Sequence, residues 1–416
     1  MSAGWDLARA EAYLLSLELF GMRFGLDRMH RLMTALGHPQ RAFRSVHVVG
    51  TNGKSSTVRM IAAILEQHGL RVGAYLSPHL VSFTERIRIG DEDLDAAAFA
   101  AAVQRAAHAA ELVNRSLPGD DRVTQFEALT AAAYSELAER GVEVAVIEAG
   151  LGGRFDATNV LPSSVQVLTS VGLEHTRWLG PTITDIAREK LDVVKPGSAL
   201  VLGAELHDDA DAEAVLVAKR RGARVVRAGA DPGVQVGALG AFQRRNFSLA
   251  RAAAEAYLGE LDRGAVANAA AGVRVPGRLQ VVGERPLTLL DGAHNPDGMA
   301  ALVESLDELL AGRPLTAVVS ILDDKDAAAM LRTLLAHCEA LILTSSHNPR
   351  ALPPPTLQSL ASQLGGPTSE LVRDPRSALA RARELAGDGG AVLATGSIYL
   401  VADLVGPASA VRASSL

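Results

Sequence analysis

From Val46 onward, short β-branched runs alternate with longer alanine- and leucine-rich segments whose apolar residues recur at helical spacing. Strands buried on both faces read as continuous apolar runs, and the helices that cover them read as amphipathic periods. This alternation therefore predicts an α/β fold on a mainly parallel sheet. Strands are expected at 46–49, 72–76, 142–148, 165–169 and 200–203, with helical stretches between them such as 58–68. Gly69 and Gly141 stand where such helices should stop. A second series, at 287–290, 317–320, 340–344 and 391–394, predicts a smaller Rossmann-like sheet. Between the two series, 272–277 contains Pro276 and has no apolar periodicity, so the expected division is 1–276 and 277–416 with a hinge between them. No short repeat occurs, and low complexity is confined to alanine-rich helices and the prolines at 353–355.

Composition agrees with two cores, since the chain has 416 residues of which 48% are hydrophobic. Lysine and arginine total 41 against 47 acids, a net charge of -6, which offers no general attraction to nucleic acid or to an anionic membrane. The local cations Lys219, Arg220, Arg221, Arg224, Arg227, Arg244 and Arg245 are expected to be solvated surface at a helix end, with few aromatics near them to stack bases. Cys338 is the single cysteine, so no internal disulfide forms, as suits a reducing compartment. The apolar stretch 13–22 is interrupted by Glu18 and preceded by Asp6 and Glu11, unlike a secretory leader, and no run is long enough to span a bilayer. The expectation is a cytoplasmic monomer acting on small molecules, without nucleic-acid or membrane partners.

The chemistry concentrates first at 46–57, Val-His-Val-Val-Gly-Thr-Asn-Gly-Lys-Ser-Ser-Thr, a strand running through a glycine turn into a helix. Glycines let backbone N–H groups approach phosphate oxygens, the helix N-terminus adds partial positive charge, Lys54 adds a full one, and the hydroxyl of Ser55 or Ser56 suits Mg²⁺. Val48 occupies the position of the first Walker glycine, so the loop is a variant of that pattern. Glu148 ends an apolar strand and precedes Gly150, Gly152 and Gly153. That context puts a carboxylate at the sheet edge where α/β proteins bind ligands, and makes it a sensible Mg²⁺ ligand.

Gly-Thr-Asn-Gly-Lys at 50–54 resembles the Mur ligase superfamily, whose members make amide bonds through acyl phosphates. Further motifs are Leu76-Ser77-Pro78-His79-Leu80, Glu85-Arg86-Ile87, Thr124-Gln125-Phe126-Glu127 and the run from Glu148 to Asn159. They continue with Gly172-Leu173-Glu174-His175-Thr176, Ala187-Arg188-Glu189-Lys190 and Gly277-Arg278-Leu279, then Asp291 to Pro296, Asp324-Lys325-Asp326 and Thr395-Gly396-Ser397. In this order, over nearly the whole chain, they resemble the dihydrofolate synthase and folylpolyglutamate synthase family.

That resemblance implies an ATP- and Mg²⁺-dependent ligase that adds L-glutamate to dihydropteroate or reduced folates and releases ADP and phosphate. It implies that residues 1–276 bind ATP and pterin, and that 277–416 contribute to ATP and glutamate binding. Thr51, Asn52, Gly53, Lys54, Ser55 and Ser56 would hold the ATP phosphates, with Asn246, Arg278, Asp291 and His294 also at the nucleotide. Ser77 and Glu148 would hold one Mg²⁺ and His175 a second, toward which Lys190, if carbamylated, would bridge; Lys54, Lys190 and His175 are the catalytic candidates. Thr124, Gln125, Phe126, Glu127, Phe155, Asp156 and Ala157 match pterin contacts, a ring to stack and carboxylates to accept N–H groups.

Three departures stand out: Ser55 follows Lys54 where the family has glycine, Glu174 replaces an aspartate, and Leu-Asp-Val-Val follows Lys190 in place of Ala-Gly-Ile-Ile. A cell-wall Mur ligase would need an N-terminal domain for which the 49 residues before Gly50 leave little room. A nucleotide switch without catalysis would leave Ser77, Glu148, His175 and Lys190 with no common purpose.

Overall fold

The computed structural model describes residues 4–18 and 25–406, so the end of the apolar stretch 13–22 lies outside the described residues. The first sheet contains β1 (Arg44–Val49), β2 (Val72–Tyr75), β3 (Ile87–Ile89), β4 (Glu92–Asp93), β5 (Val144–Glu148), β6 (Val165–Leu168), β7 (Ala199–Leu202) and β8 (Arg224–Arg227). Their order is β4-β3-β2-β5-β1-β6-β7-β8, parallel throughout except where β3 pairs with β2 and β4. The second sheet contains β9 (Gln280–Glu284), β10 (Leu287–Leu290), β11 (Leu315–Val319), β12 (Ala340–Leu343), β13 (Ser369–Leu371) and β14 (Ala391–Thr395). Its order is β13-β12-β11-β14-β10-β9, with only β9 antiparallel to its neighbour. The expected α/β class, a mainly parallel sheet plus a smaller one, is what the chain adopts.

The central strands were readable because both of their faces are covered. In β5, Val144 and Val146 pack toward helices Lys54–Gln67 and Ala241–Leu258, while Ala145 and Ile147 pack toward helices Ala96–Asn114 and Gln125–Glu139. A third apolar cluster, around Leu168, Leu200 and Leu202, lies under helices Ile183–Leu191 and Asp208–Arg221. Strand ends moved by one or two residues from expectation, and the helix expected at 58–68 starts earlier, at Lys54, directly after the left-handed Gly53. Gly69 (φ 82°) and Gly141 (φ 63°) do follow helix ends. The strands without a sequence signal, β3, β4, β8, β9 and β13, lie at or beside sheet edges, where half-exposed polar positions dilute the pattern.

The first sheet's unit ends with helix Arg263–Gly272, and the second sheet begins at Gln280, after the 272–277 segment. Most of the basic cluster is neutralised within the chain: Arg220 pairs with Glu213, Arg221 with Asp192, Arg227 with Asp211, Arg244 with Glu308, and Arg245 with Glu205 and Glu304. Among the described residues no helix is long and apolar enough to cross a membrane.

Candidate active site

Strands β5, β1 and β6 are adjacent, and the loops leaving their C-terminal ends open into a cavity of 1740 Å³ that also receives residues of the second sheet's unit. This edge collects side chains because parallel strands all end on the same side.

After β1 the chain turns through Gly50–Gly53 into helix Lys54–Gln67. Gly53 has φ 83°, a left-handed backbone that favours glycine, and a Cβ placed there would lie 2.6 Å from Asn246 Oδ1, so that side chain would have to move. Lys54 Nζ donates to the Gly50 and Thr51 carbonyls at 3.1 and 3.2 Å. Lys190, brought from helix Ile183–Leu191, donates to the same Gly50 carbonyl at 2.9 Å. Two lysine side chains thus converge on one oxygen. Burial, then the charge of Lys54, pushes the Lys190 amine down to about 7.

Opposite them, Glu148 at the end of β5 accepts from Ser55 Oγ at 2.9 Å and from the Ser77 N–H at 3.1 Å. Burial pushes its carboxyl up to about 7, against the attraction of Lys54. A carboxylate desolvated this fully asks for a cation beside it. Ser55 Oγ, Ser77 and Glu148 offer the hard oxygen donors that Mg²⁺ prefers, and Ser55 rather than the buried Ser56 meets the carboxylate. Among the described residues no three His, Cys, Asp or Glu side chains gather as a metal cage. A Mg²⁺ ion here would draw its remaining ligands from phosphates and water, as this ion usually does. His175 lines the same cavity with a left-handed backbone (φ 54°), and burial lowers its imidazole to about 4, leaving the neutral ligand form at neutral pH.

Phe126, Phe155, Thr124, Glu127, Asp156 and Ala157 line the same cavity, and the Phe126 ring lies so close to Gly150 that a Cβ there would be 2.6 Å from it. Gln125 does not line it; its side chain turns the opposite way and donates to the Leu14 carbonyl at 2.8 Å, which corrects its expected place at the pterin. The two carboxylates are also spent internally. Glu127 closes a capping box with Thr124 and receives Arg28 Nε at 2.9 and 3.0 Å. Asp156 accepts from the Leu151 N–H at 2.8 Å, the Thr158 N–H at 3.0 Å and the Thr158 hydroxyl. His47 Nε2 meets that hydroxyl at 2.8 Å from within β1. Arg28, which also binds Asp121 at 3.1 Å, carried no sequence signal.

From the second unit come Arg278, Asp291, His294, Lys325 and Arg350, with Asn246 from helix Ala241–Leu258. Asp291 is buried and accepts from the Leu279 and Ala293 N–H groups at 2.8 Å each, so its oxygens shape the turn after β10. Asn52 and Asn295 exchange amide hydrogen bonds at 3.1 and 3.0 Å across the units. Glu174 pairs with Lys325 at 2.9 Å and lies 3.5 Å from His294. Burial alone would raise the Glu174 carboxyl, but His294, Lys325 and His175 hold it well below the usual range. Lys325 belonged to a recognised motif with no role attached, and the Asn52–Asn295 contact spans 243 residues of sequence, so no local pattern announced it.

Residues 48–248 match the Mur ligase middle domain family, and 277–398 match the Mur ligase glutamate ligase domain family. The chain is 37% identical over 371 residues to a folylpolyglutamate synthase of Lacticaseibacillus casei, covering 82% of this chain and 86% of that one. It is 32% identical over 413 residues to a dihydrofolate synthase/folylpolyglutamate synthase of Bacillus subtilis, covering 92% and 95%. Among solved structures, the Mycobacterium tuberculosis folylpolyglutamate synthase complexed with ADP and AMPPCP superposes with a TM-score of 0.88 at 31% identity, over 95% of this chain and 97% of that one. Escherichia coli FolC in complex with DHPP and ADP gives 0.85 at 29% identity, over 96% of each. With a phosphate turn, a buried carboxylate and a paired lysine meeting where both units close on one cavity, the chain belongs to the dihydrofolate synthase/folylpolyglutamate synthase family of ATP-dependent Mur ligases.

Proposed function

We propose that this chain adds L-glutamate both to dihydropteroate and to reduced folates, activating the acceptor's carboxylate as an acyl phosphate and releasing ADP and phosphate. The convergence of Lys54, Ser55, Glu148 and Lys190 in one cavity, which Phe126, Phe155 and residues of the second unit also line, carries this assignment.

ATP phosphates lie along the 51–56 turn, where the backbone N–H groups and Lys54 balance their charge. Asn246 and Arg278 hold the remainder of the nucleotide, while Asp291 and His294 shape the loop beside it. Ser55, Ser77 and Glu148 would hold one Mg²⁺, and His175 with a carbamylated Lys190 would help hold a second. When bound there, Mg²⁺ would supply neutralising charge for the two anions that phosphoryl transfer brings together. The aromatic rings of Phe126 and Phe155 receive the pterin, while the Glu127 carboxylate fixes the start of the helix that carries Phe126 and the Asp156 carboxylate fixes the loop that carries Phe155. Units 1–276 and 277–416 close about the 272–277 segment and exclude water, so the amine of glutamate rather than water attacks the activated carbonyl. We also read the protein as a cytoplasmic monomer.

Phosphate release with MgATP and glutamate tests the assignment, comparing dihydropteroate with tetrahydrofolate as acceptor. Release that depends on glutamate and on either acceptor, with ADP as the nucleotide product, is expected. AMP as the product, or release indifferent to glutamate, would refute it.

A further inference from the structure

Glu174, in the loop after β6, spends both carboxylate oxygens on the other unit. Oε1 accepts from Lys325 Nζ at 2.9 Å and Oε2 from Asn295 Nδ2 at 2.9 Å. Asn295 in turn caps helix Pro296–Glu304 and exchanges amide hydrogen bonds with Asn52 in the phosphate turn. The ion pair is shielded, with side chains 10% and 11% exposed. Beside it the Asp297 side chain of the second unit presses on the same loop: a Cβ placed on Gly172 would lie 1.9 Å from Asp297 Oδ2. These contacts form one chain, Lys325–Glu174–Asn295–Asn52, running from the second unit's cavity wall to the nucleotide turn.

Three of its links cross between the units, and hydrogen bonds of this length do not survive a displacement of about 1 Å. Rotating one unit on the other therefore breaks them together and strands a desolvated charge on each side. Nothing assigned to Glu174 so far requires that arrangement. We propose that Glu174 is a positioning residue for ligation, the group through which the Lys325 side of the cavity is held in register with the phosphate turn. Its effect on turnover rests on the ligase activity proposed above; its effect on the arrangement of the two units does not.

A double-mutant cycle on Glu174→Gln and Lys325→Met, with ATP, glutamate and tetrahydrofolate, tests the coupling, beside Glu174→Asp and solution scattering of the ligand-free proteins. Glu174→Gln should lower kcat/KM for glutamate by about tenfold or more, and Lys325→Met should do the same in the wild-type background but cost less than about threefold once Glu174 is Gln. Glu174→Asp keeps the charge and should restore part of the loss without a change in unfolding midpoint. Ligand-free Glu174→Gln should scatter with a larger radius of gyration than wild type. Losses that simply multiply, or superimposable scattering curves, overturn the proposal. A wild-type protein without glutamate-dependent phosphate release overturns the ligase assignment instead, and scattering still decides whether Glu174 holds the units together.

Discussion

Replacing Lys190 by alanine probes the most perturbed cation in the site. Burial and the neighbouring Lys54 bring its amine to about 7. At pH 8 an ordinary lysine is neutral in about 0.4% of molecules, whereas a group near 7 is neutral in about 90%, so the supply of free amine rises about 200-fold. Only that form captures CO₂, and the proposed carbamate would convert a positive side chain into a negative one beside the proposed metal ligands. Loss of a charge-stabilising group in a water-excluded site costs on the order of 100-fold in kcat, and Lys190→Ala should show at least that in the phosphate-release assay. Added bicarbonate or acetate should restore part of the rate. Independently of turnover, wild type incubated with ¹³C-bicarbonate should show a carbamate resonance that Lys190→Ala lacks, and that weakens as the pH falls below about 7 because the protonated amine cannot attack. An active wild type that takes up no label at pH 8, or an alanine variant turning over within about threefold of wild type, would refute the reasoning.

Gly53→Ala forces a left-handed alanine against Asn246, and strain of about 1–2 kcal/mol should weaken ADP about tenfold in calorimetry; unchanged affinity would mean the turn does not seat the phosphates. Phe126→Ala should raise KM for the pteroate acceptor by about tenfold with KM for ATP unmoved, as its proposed role in receiving the pterin requires, and a shift confined to ATP would contradict that role. His47 is buried and lowered to about 3, so below its unfolded value of 6.5 the unfolded chain binds a proton that the folded one refuses. Its contribution is intact above 6.5 and is lost as pH falls toward 3, by about 1.4 kcal/mol per unit; His47→Gln should flatten that slope in urea titrations, and parallel slopes would count against it.

How much of this was legible depended on how local the cause was. Strands β5, β1 and β6 announce themselves because burial on both faces keeps them rich in valine and other apolar residues, whereas β8, Arg-Val-Val-Arg, lies at an edge with charged ends and reads as loop. The phosphate turn was legible because glycine, lysine and hydroxyl act within a few residues of one another. Gln125 was misjudged because neighbours on a helix point about 100° apart, so Phe126 can face the cavity while Gln125 faces helix Leu7–Ser16. The linkage of Asn52 to Asn295 and of Glu174 to Lys325 depends on how the two units dock, a long-range outcome that no spacing encodes.

Glu127 and Asp156 carry a lesson for inhibitor design. A medicinal chemist who saw two acids lining the cavity with Phe126 and Phe155 would attach an amine or amidine to reach them. Every such group must displace donors already seated there, Arg28 and the Thr124 N–H on one, the Leu151 and Thr158 N–H groups on the other. The compound would then spend its affinity unravelling the scaffold it hoped to grip. A flat heterocycle laid on Phe155, which is 39% exposed, would meet the Arg154 guanidinium, 5.1 Å from the ring centroid, and leave those donors in place.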